Sequence, residues 1–272
     1  MRSLILLFPI TAIFLIDPND SAAQQNKQDT ASTLTPTQTP PPAAAKGGFS
    51  TNWGKWGFPL FPPEFKATPG LSLFFHQTKK DVFQYGLVAV GLPADKTYRL
   101  WQKKLDASQP TRFPPELGIK IVSDNTGYVI SRADGNVFLI ATATFLKGEA
   151  LQIALTSEDK TIVAFAKTIP NPIESIRGPY RTWVELGSAG GDGFIIWGEG
   201  FEPNEEIAAT SISEGEIRRS KVQADSEGRF MTLMFPAVVG KQSGLATYNV
   251  VGKSGEVKVS YQWGPPALRL GP

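Results

Sequence analysis

The stretch that decides the fold runs from the apolar segment Phe194-Ile195-Ile196-Trp197 through Gly198-Glu199-Gly200-Phe201-Glu202-Pro203-Asn204-Glu205-Glu206 into the run Ile207 to Ser213. A few β-branched and aromatic residues closed off by Gly, Pro, Asn or Asp are strand chemistry, because those side chains suit a pleated surface and the closing residues supply the turns. The pattern repeats at once: Ser220 to Val222 precedes the turn Asp225-Ser226-Glu227-Gly228, and Phe230 to Phe235 follows it. The segment therefore holds four strands, with one of these turns after the first and the other before the last.

Working outward, Tyr180 to Leu186, Ala246 to Val251 and Val257 to Tyr261 complete one series of strands. An earlier series reads the same way: Leu71 to Phe75, Val82 to Gly91, Tyr98 to Trp101, Ile119 to Val122, Tyr128 to Ile130, Val137 to Phe145, Ala150 to Leu155 and Thr161 to Ala166. Turn residues such as Asp124-Asn125-Thr126-Gly127 and Asp134-Gly135-Asn136 close its runs. Ile169-Pro170-Asn171-Pro172 separates the two. They match in three places: Gly91-Leu92-Pro93 with Gly200-Phe201-Glu202-Pro203, Ser123 to Tyr128 with Ala224 to Arg229, and the last hairpins, around Asp159 and Gly255. Short strands at this spacing predict an all-β protein of two tandem sandwiches, residues 69–169 and 173–264.

The residues Gly198 to Ile207, with Asp225 to Phe230 and the closing strand pair, resemble the bacterial immunoglobulin-like domains of exported and surface proteins. The second half carries the resemblance; in the first half Gly91-Leu92-Pro93-Ala94-Asp95 lacks the full pattern. The resemblance implies that the Gly-Phe-x-Pro stretch turns the chain between two strands and that the Asp-x-x-Gly stretch is a hairpin. It implies no particular activity, since this fold hosts many.

Composition agrees with short strands and narrows the chemistry. The 272 residues include 26 Gly and 22 Pro, too many for long helices. There is no Cys and one His, His76, so disulfide frameworks, thiol catalysis and Cys/His zinc sites are excluded, and a Ser-His-Asp triad would have to use His76. A single imidazole beside Gln77-Thr78-Lys79-Lys80 reads as the exposed end of a strand. The formal net charge is +2, and the basic residues occur as isolated pairs, Lys79-Lys80, Lys103-Lys104 and Arg218-Arg219. A nucleic-acid binder needs a stronger basic stripe, so nucleic acid is not an expected partner.

The N-terminus sets the compartment. Arg2, the apolar run Leu4 to Ile16 and the small residues Ser21-Ala22-Ala23 read as a signal peptide over residues 1–23, cleaved before Gln24. The apolar run is shorter than the roughly 20 residues of a membrane span. The competing reading is an uncleaved anchor; lipidation lacks its Cys. The mature chain is expected to be exported, to the periplasm, the cell surface or the medium, with no transmembrane segment. Residues 24–48, polar and then rich in Thr, Pro and Ala, read as a disordered linker, because they cannot bury enough apolar surface to offset their ordering entropy.

Residues 49–68 form an aromatic strap: Trp53, Trp56, Phe58, Phe61 and Phe65 alternate with Gly54, Gly57, Pro59, Pro62 and Pro63, with neither a helical nor a strand period. Two readings stand. The rings pack along the following domain or between the two domains, or Trp53, Trp56, Phe58 and Phe61 form a binding platform. Elsewhere the chemistry is sparse. Gly252-Lys253-Ser254 lacks the upstream Gly of a phosphate-binding loop and lies between two strands, so it reads as a hairpin turn. Gly187 to Gly193 reads as a connection before a strand. Asp124, Asp134, Asp192 and Asp225 read as turn residues, and no calcium-loop series is present. Glu202, Glu205 and Glu206 are clustered, yet a glycosidase needs carboxylates across a cleft.

No catalytic, metal or cofactor-binding residue is assigned, and no cofactor is expected. The expected function is a non-enzymatic binding, adhesion or scaffolding protein of the cell envelope whose partner is an envelope protein or glycan. The alternatives are a carbohydrate-binding accessory protein using the strap, or an envelope enzyme with an interdomain cleft. Nothing in the sequence sets an oligomeric state.

Overall fold

The computed structural model describes residues 65–79, 84–94, 96–105, 111–113, 121–123, 127, 129–131, 139–141 and 145–270. The expected signal peptide, the linker and the strap before Phe65 lie outside them, as do Asp124 and Asp134. The described chain is an all-β sandwich fold of four antiparallel sheets.

In the first sandwich, β1 (Ser72–Lys79), β2 (Gln84–Val90) and β7 (Leu139–Ala141) form one sheet in the order β1-β2-β7. The opposing sheet contains β3 (Tyr98–Lys103), β5 (Ile121–Ser123), β6 (Val129–Ser131), β8 (Leu151–Ser157) and β9 (Val163–Thr168), in the order β6-β5-β3-β8-β9; β4 (Thr111–Phe113) also pairs with β3. Leu73, Tyr85, Leu87 and Ile140 from one sheet meet Tyr98, Leu100, Ile153 and Leu155 from the other in a common core.

In the second sandwich, β10 (Ile173–Arg177), β11 (Tyr180–Leu186), β12 (Phe194–Glu199) and β15 (Phe230–Met234) lie in the order β10-β11-β12-β15. They face β13 (Glu206–Ser213), β14 (Glu216–Gln223), β16 (Gly244–Gly252) and β17 (Gly255–Trp263), ordered β14-β13-β16-β17. Strict alternation on β13, β16 and β17 puts Ile207, Ala209, Tyr248, Val250, Val257 and Val259 inside, opposite Val184, Phe194, Ile196 and Phe230. This is the period of two that a half-buried strand requires.

Both sandwiches follow one route between their two sheets. β2 passes the chain to β3 as β12 does to β13, and the chain returns to the first sheet at β7 or β15. It then crosses back to close with the hairpin β8-β9 or β16-β17. The first crossing is the one the Gly-Leu-Pro and Gly-Phe-x-Pro stretches were expected to make. Gly91 and Gly200 sit there at φ 80° and 91°, and Leu92 and Phe201 drop into their cores. A side chain at Gly200 would also collide with the carbonyl oxygen of Pro179. The second match holds at its loop: Gly228 accepts a hydrogen bond from Phe201 N, and Gly127 accepts one from Ala89 N. The strand after that loop differs, because β6 pairs with β5 whereas β15 pairs with β12.

Three local expectations need correction. His76 is exposed but sits inside β1, which continues to Lys79 on ladder bonds to β2 that its polar side chains do not advertise. Of the run Val137 to Phe145, the described strand is Leu139–Ala141, and Phe145 is buried outside it. Ile169 to Pro172 does separate the series, but β10 begins immediately after it. The sequence hides β10 because only Ile173 of that strand packs against the core; the rest is held by ladder hydrogen bonds to β11 and by an Arg177–Glu256 ion pair to β17.

Candidate functional site at the joint

The joint is built by strands whose outer faces carry unusual residues. On β9, Ala164 and Ala166 point into the first core, which leaves Lys167 on the opposite face. On β11, Tyr180, Val184 and Leu186 point into the second core, which leaves Arg181, Trp183 and Glu185 outside; Trp197 of β12 lies opposite Trp183. These outer faces meet. The ammonium of Lys167 pairs with Glu185 Oε2, and their side chains are 1% and 2% exposed. Trp197 Nε1 donates to the same oxygen at 2.8 Å, and the Lys167 ammonium lies 5.1 Å from the centre of the Trp197 ring. Burial holds the Lys167 ammonium below its ordinary pKa, and the Glu185 charge opposes that shift.

Backbone contacts run beside the ion pair. The loop before β8 reaches the second sandwich, where Gly148 accepts from Leu186 N at 2.9 Å and donates to Asn171 O at 2.8 Å. Leu146 forms a bridge with Leu270, and the Leu105 and Leu146 side chains pack on the second core. The connection between β9 and β10 is only residues 169–172. A cationic partner also rests on Trp183: Arg181 stacks 4.8 Å from its ring centre while bonding Glu174 and Glu199. The two indoles lie 6.1 Å apart and nearly parallel.

Of the strap residues, Trp53, Trp56, Phe58 and Phe61 lie outside the described residues. Phe65 is buried on the outer face of the β3-β8-β9 sheet, against Ala154 and Val163 and edge-on to Trp101 at 5.3 Å. Thr68 fastens the chain there, donating N–H to Val163 O and accepting from Val163 N at 2.9 Å each. Covering this face buries β8 on both sides. The strap's last ring is therefore core, worth about 2–3 kcal/mol by burial.

The remaining candidates are structural pieces. Gly252-Lys253-Ser254 is the β16-β17 hairpin turn, and Glu205, 4% exposed, holds it by accepting from Lys253 N while its other oxygen accepts from Glu202 N at 2.8 Å. Lys253 pairs with Glu202 across the same contact, which raises its pKa. Glu206 pairs instead with Lys221, so the three glutamates do not converge. Asp192 bonds Ser188 within the loop before β12. Asp225 accepts from Glu227 N and Arg229 N; desolvation opposes its ionisation, but these bonds and the Arg229 charge outweigh it and lower its pKa. Among the described residues no group of three His, Cys, Asp or Glu could hold a metal ion, and no helix is long and apolar enough to cross a membrane. The joint is the site that sequence reasoning missed. Its one signal was the presence of Trp183, Ile195 and Trp197 at positions facing away from the core.

No family model matches the chain, and no curated protein matches it in sequence. Among solved structures, it is similar to a tetra-tandem repeat in the extending region of a large adhesion protein, at 10% identity and TM-score 0.26 over 71% of this chain. It is similar to a pullulanase from Anoxybacillus sp. LM18-11 complexed with maltotriose, at 9% identity and TM-score 0.21 over 71% of this chain. A DUF3823 family protein from Bacteroides ovatus aligns at 7% identity and TM-score 0.18, over 71% of this chain and 95% of its own. The chain spans 48% of the first of these and 25% of the second. Similarities of this size transfer no function.

Proposed function

We propose that this protein is an exported, non-enzymatic scaffold of the cell envelope, in which two sandwiches act as one rigid binding body. The observation that carries the reading is the buried Lys167–Glu185 pair between them. A buried ion pair with backbone hydrogen bonds beside it would fix the spacing of two surfaces, which is useful to a scaffold. The displaced titratable groups among the described residues support a non-catalytic role, because each of them is tied to architecture. Lys167 lies in the joint; Tyr85, Tyr248 and Tyr261 are pushed up by burial in the cores; and Asp159, Glu214, Asp225 and Lys253 fasten turns and loops. An active site would hold such groups together in a cleft.

The test is tagging the full chain in its own cells, followed by fractionation and crosslinking in place. The reading expects the protein outside the cytoplasm, with a defined envelope protein or glycan crosslinked in high yield. Recovery in the cytoplasm, or an exported protein that crosslinks to nothing, would overturn it.

A further inference from the structure

Among the terminal strands of the second sandwich, β14 presents an open and well-exposed edge. Among the described residues β14 pairs only with β13, along all eight of its residues, and its side chains are exposed except for a partly covered Val222. Exposed strand edges invite pairing with another chain. This edge is cationic: Arg218, Arg219 and Lys221 outnumber Glu216, and Arg219 has no ion-pair partner among the described residues. Beside it, between β14 and the end of β15, lies a shallow, solvent-open depression lined by Ser211, Arg218, Met234, Phe235 and Pro236 among others. Its floor is firm, because Ser213 donates to Pro236 O at 2.6 Å and accepts from Trp263 Nε1 at 3.1 Å. Phe235 stands 63% exposed at the rim, and Leu233 is exposed nearby. An edge meant only to repel other strands has no use for an exposed aromatic ring beside it.

We propose that β14 is the docking edge for an acidic, extended segment of a partner protein, which extends the β14-β13-β16-β17 sheet and lays one side chain against the exposed ring of Phe235. Main-chain bonds to the edge supply affinity and alternate side chains supply selectivity, as in strand addition generally. Charge decides the occupant. Two copies of β14 paired with each other would set Arg and Lys against Arg and Lys, which is destabilising, whereas a Glu in a partner strand meets Arg219 favourably, while Lys221 is already paired with Glu206.

This proposal rests on the binding reading above and is tested separately from it. The full chain is mixed with acetyl-(Glu-Val)4-amide or with acetyl-(Lys-Val)4-amide at matched millimolar concentration, and hydrogen exchange of residues 216–223 is followed. The acidic peptide is expected to slow exchange there about tenfold or more while the basic peptide leaves it unchanged. The double variant Arg218→Glu, Arg219→Glu, altered only at exposed positions, is expected to lose that protection and keep its melting temperature. Equal protection by both peptides, no protection by the acidic one, or slow exchange in the free protein through self-association would each overturn the proposal. An envelope partner crosslinked elsewhere, with β14 unprotected by the acidic peptide, sinks this edge and leaves the scaffold reading standing.

Discussion

Glu185 Oε2 accepts two bonds at once, from the ammonium of Lys167 in the other sandwich and from the indole N–H of Trp197 beside it. A buried carboxylate with two donors is satisfied; with one removed it is not. Glu185→Ala leaves Lys167 charged and nearly unhydrated, so it is expected to cost about 3–5 kcal/mol in denaturant melts, and Lys167→Ala a similar amount. The double change Lys167→Met, Glu185→Leu removes both charges and should restore most of the loss. If the double variant is as unstable as the sum of the singles, the two residues do not act as a pair.

Phe65 is the part of the strap whose role the fold settles. Phe65→Ala is expected to cost about 3–5 kcal/mol, as large-to-small core changes do, with the loss confined to the first sandwich. Chemical shifts of the second sandwich should be unchanged away from the joint. A melting temperature within a degree of the parent's would mean that the ring contributes nothing to the face it covers.

Gly200→Ala is expected to destabilise by about 2 kcal/mol or more, since it combines left-handed strain with a collision at Pro179 O. Gly240→Ala serves as the control. It shares the positive φ, 81°, but has open space around it, so it should cost only the strain. Equal losses would show that close approach at the crossing is unimportant.

Asp159 closes the β8-β9 turn. Ser157 Oγ donates to it at 2.6 Å, and Thr161 donates both its N–H and its hydroxyl, which together lower its pKa to about 2 from 3.8. A depressed folded value means that the turn's contribution is complete above the unfolded pKa and is lost as pH falls from about 4 towards 2. The Asp159 carboxyl carbon shift should therefore titrate near 2 in the folded protein. Asp159→Asn should flatten the acid limb of the stability curve over that window. A midpoint near 4 would contradict the bonding.

The strands and the crossing turns were legible because local chemistry makes them: alternating apolar residues build β13, β16 and β17, and only glycine suits the turn at Gly200. The edge strand β10 and the three-residue β4 were not, since their pairing comes from neighbouring strands and not from their own pattern. The joint was hidden for a related reason. Lys167 and Glu185 look like solvated strand residues one at a time, and they become a site only when two outer faces are brought together. A strand such as β8, buried on both faces, likewise reveals its second partner only in the folded chain.

Whether the two sandwiches move as one body is open to a single distance measurement, which the absence of native cysteine makes clean. Spin labels are placed through Lys96→Cys in the first sandwich and Lys258→Cys in the second, both exposed, and the dipolar distance distribution is recorded with Glu185 intact and with Glu185→Ala. A rigid joint predicts one narrow peak in the parent and a broad or shifted distribution in the variant. A parent distribution already as broad as the variant's would contradict it.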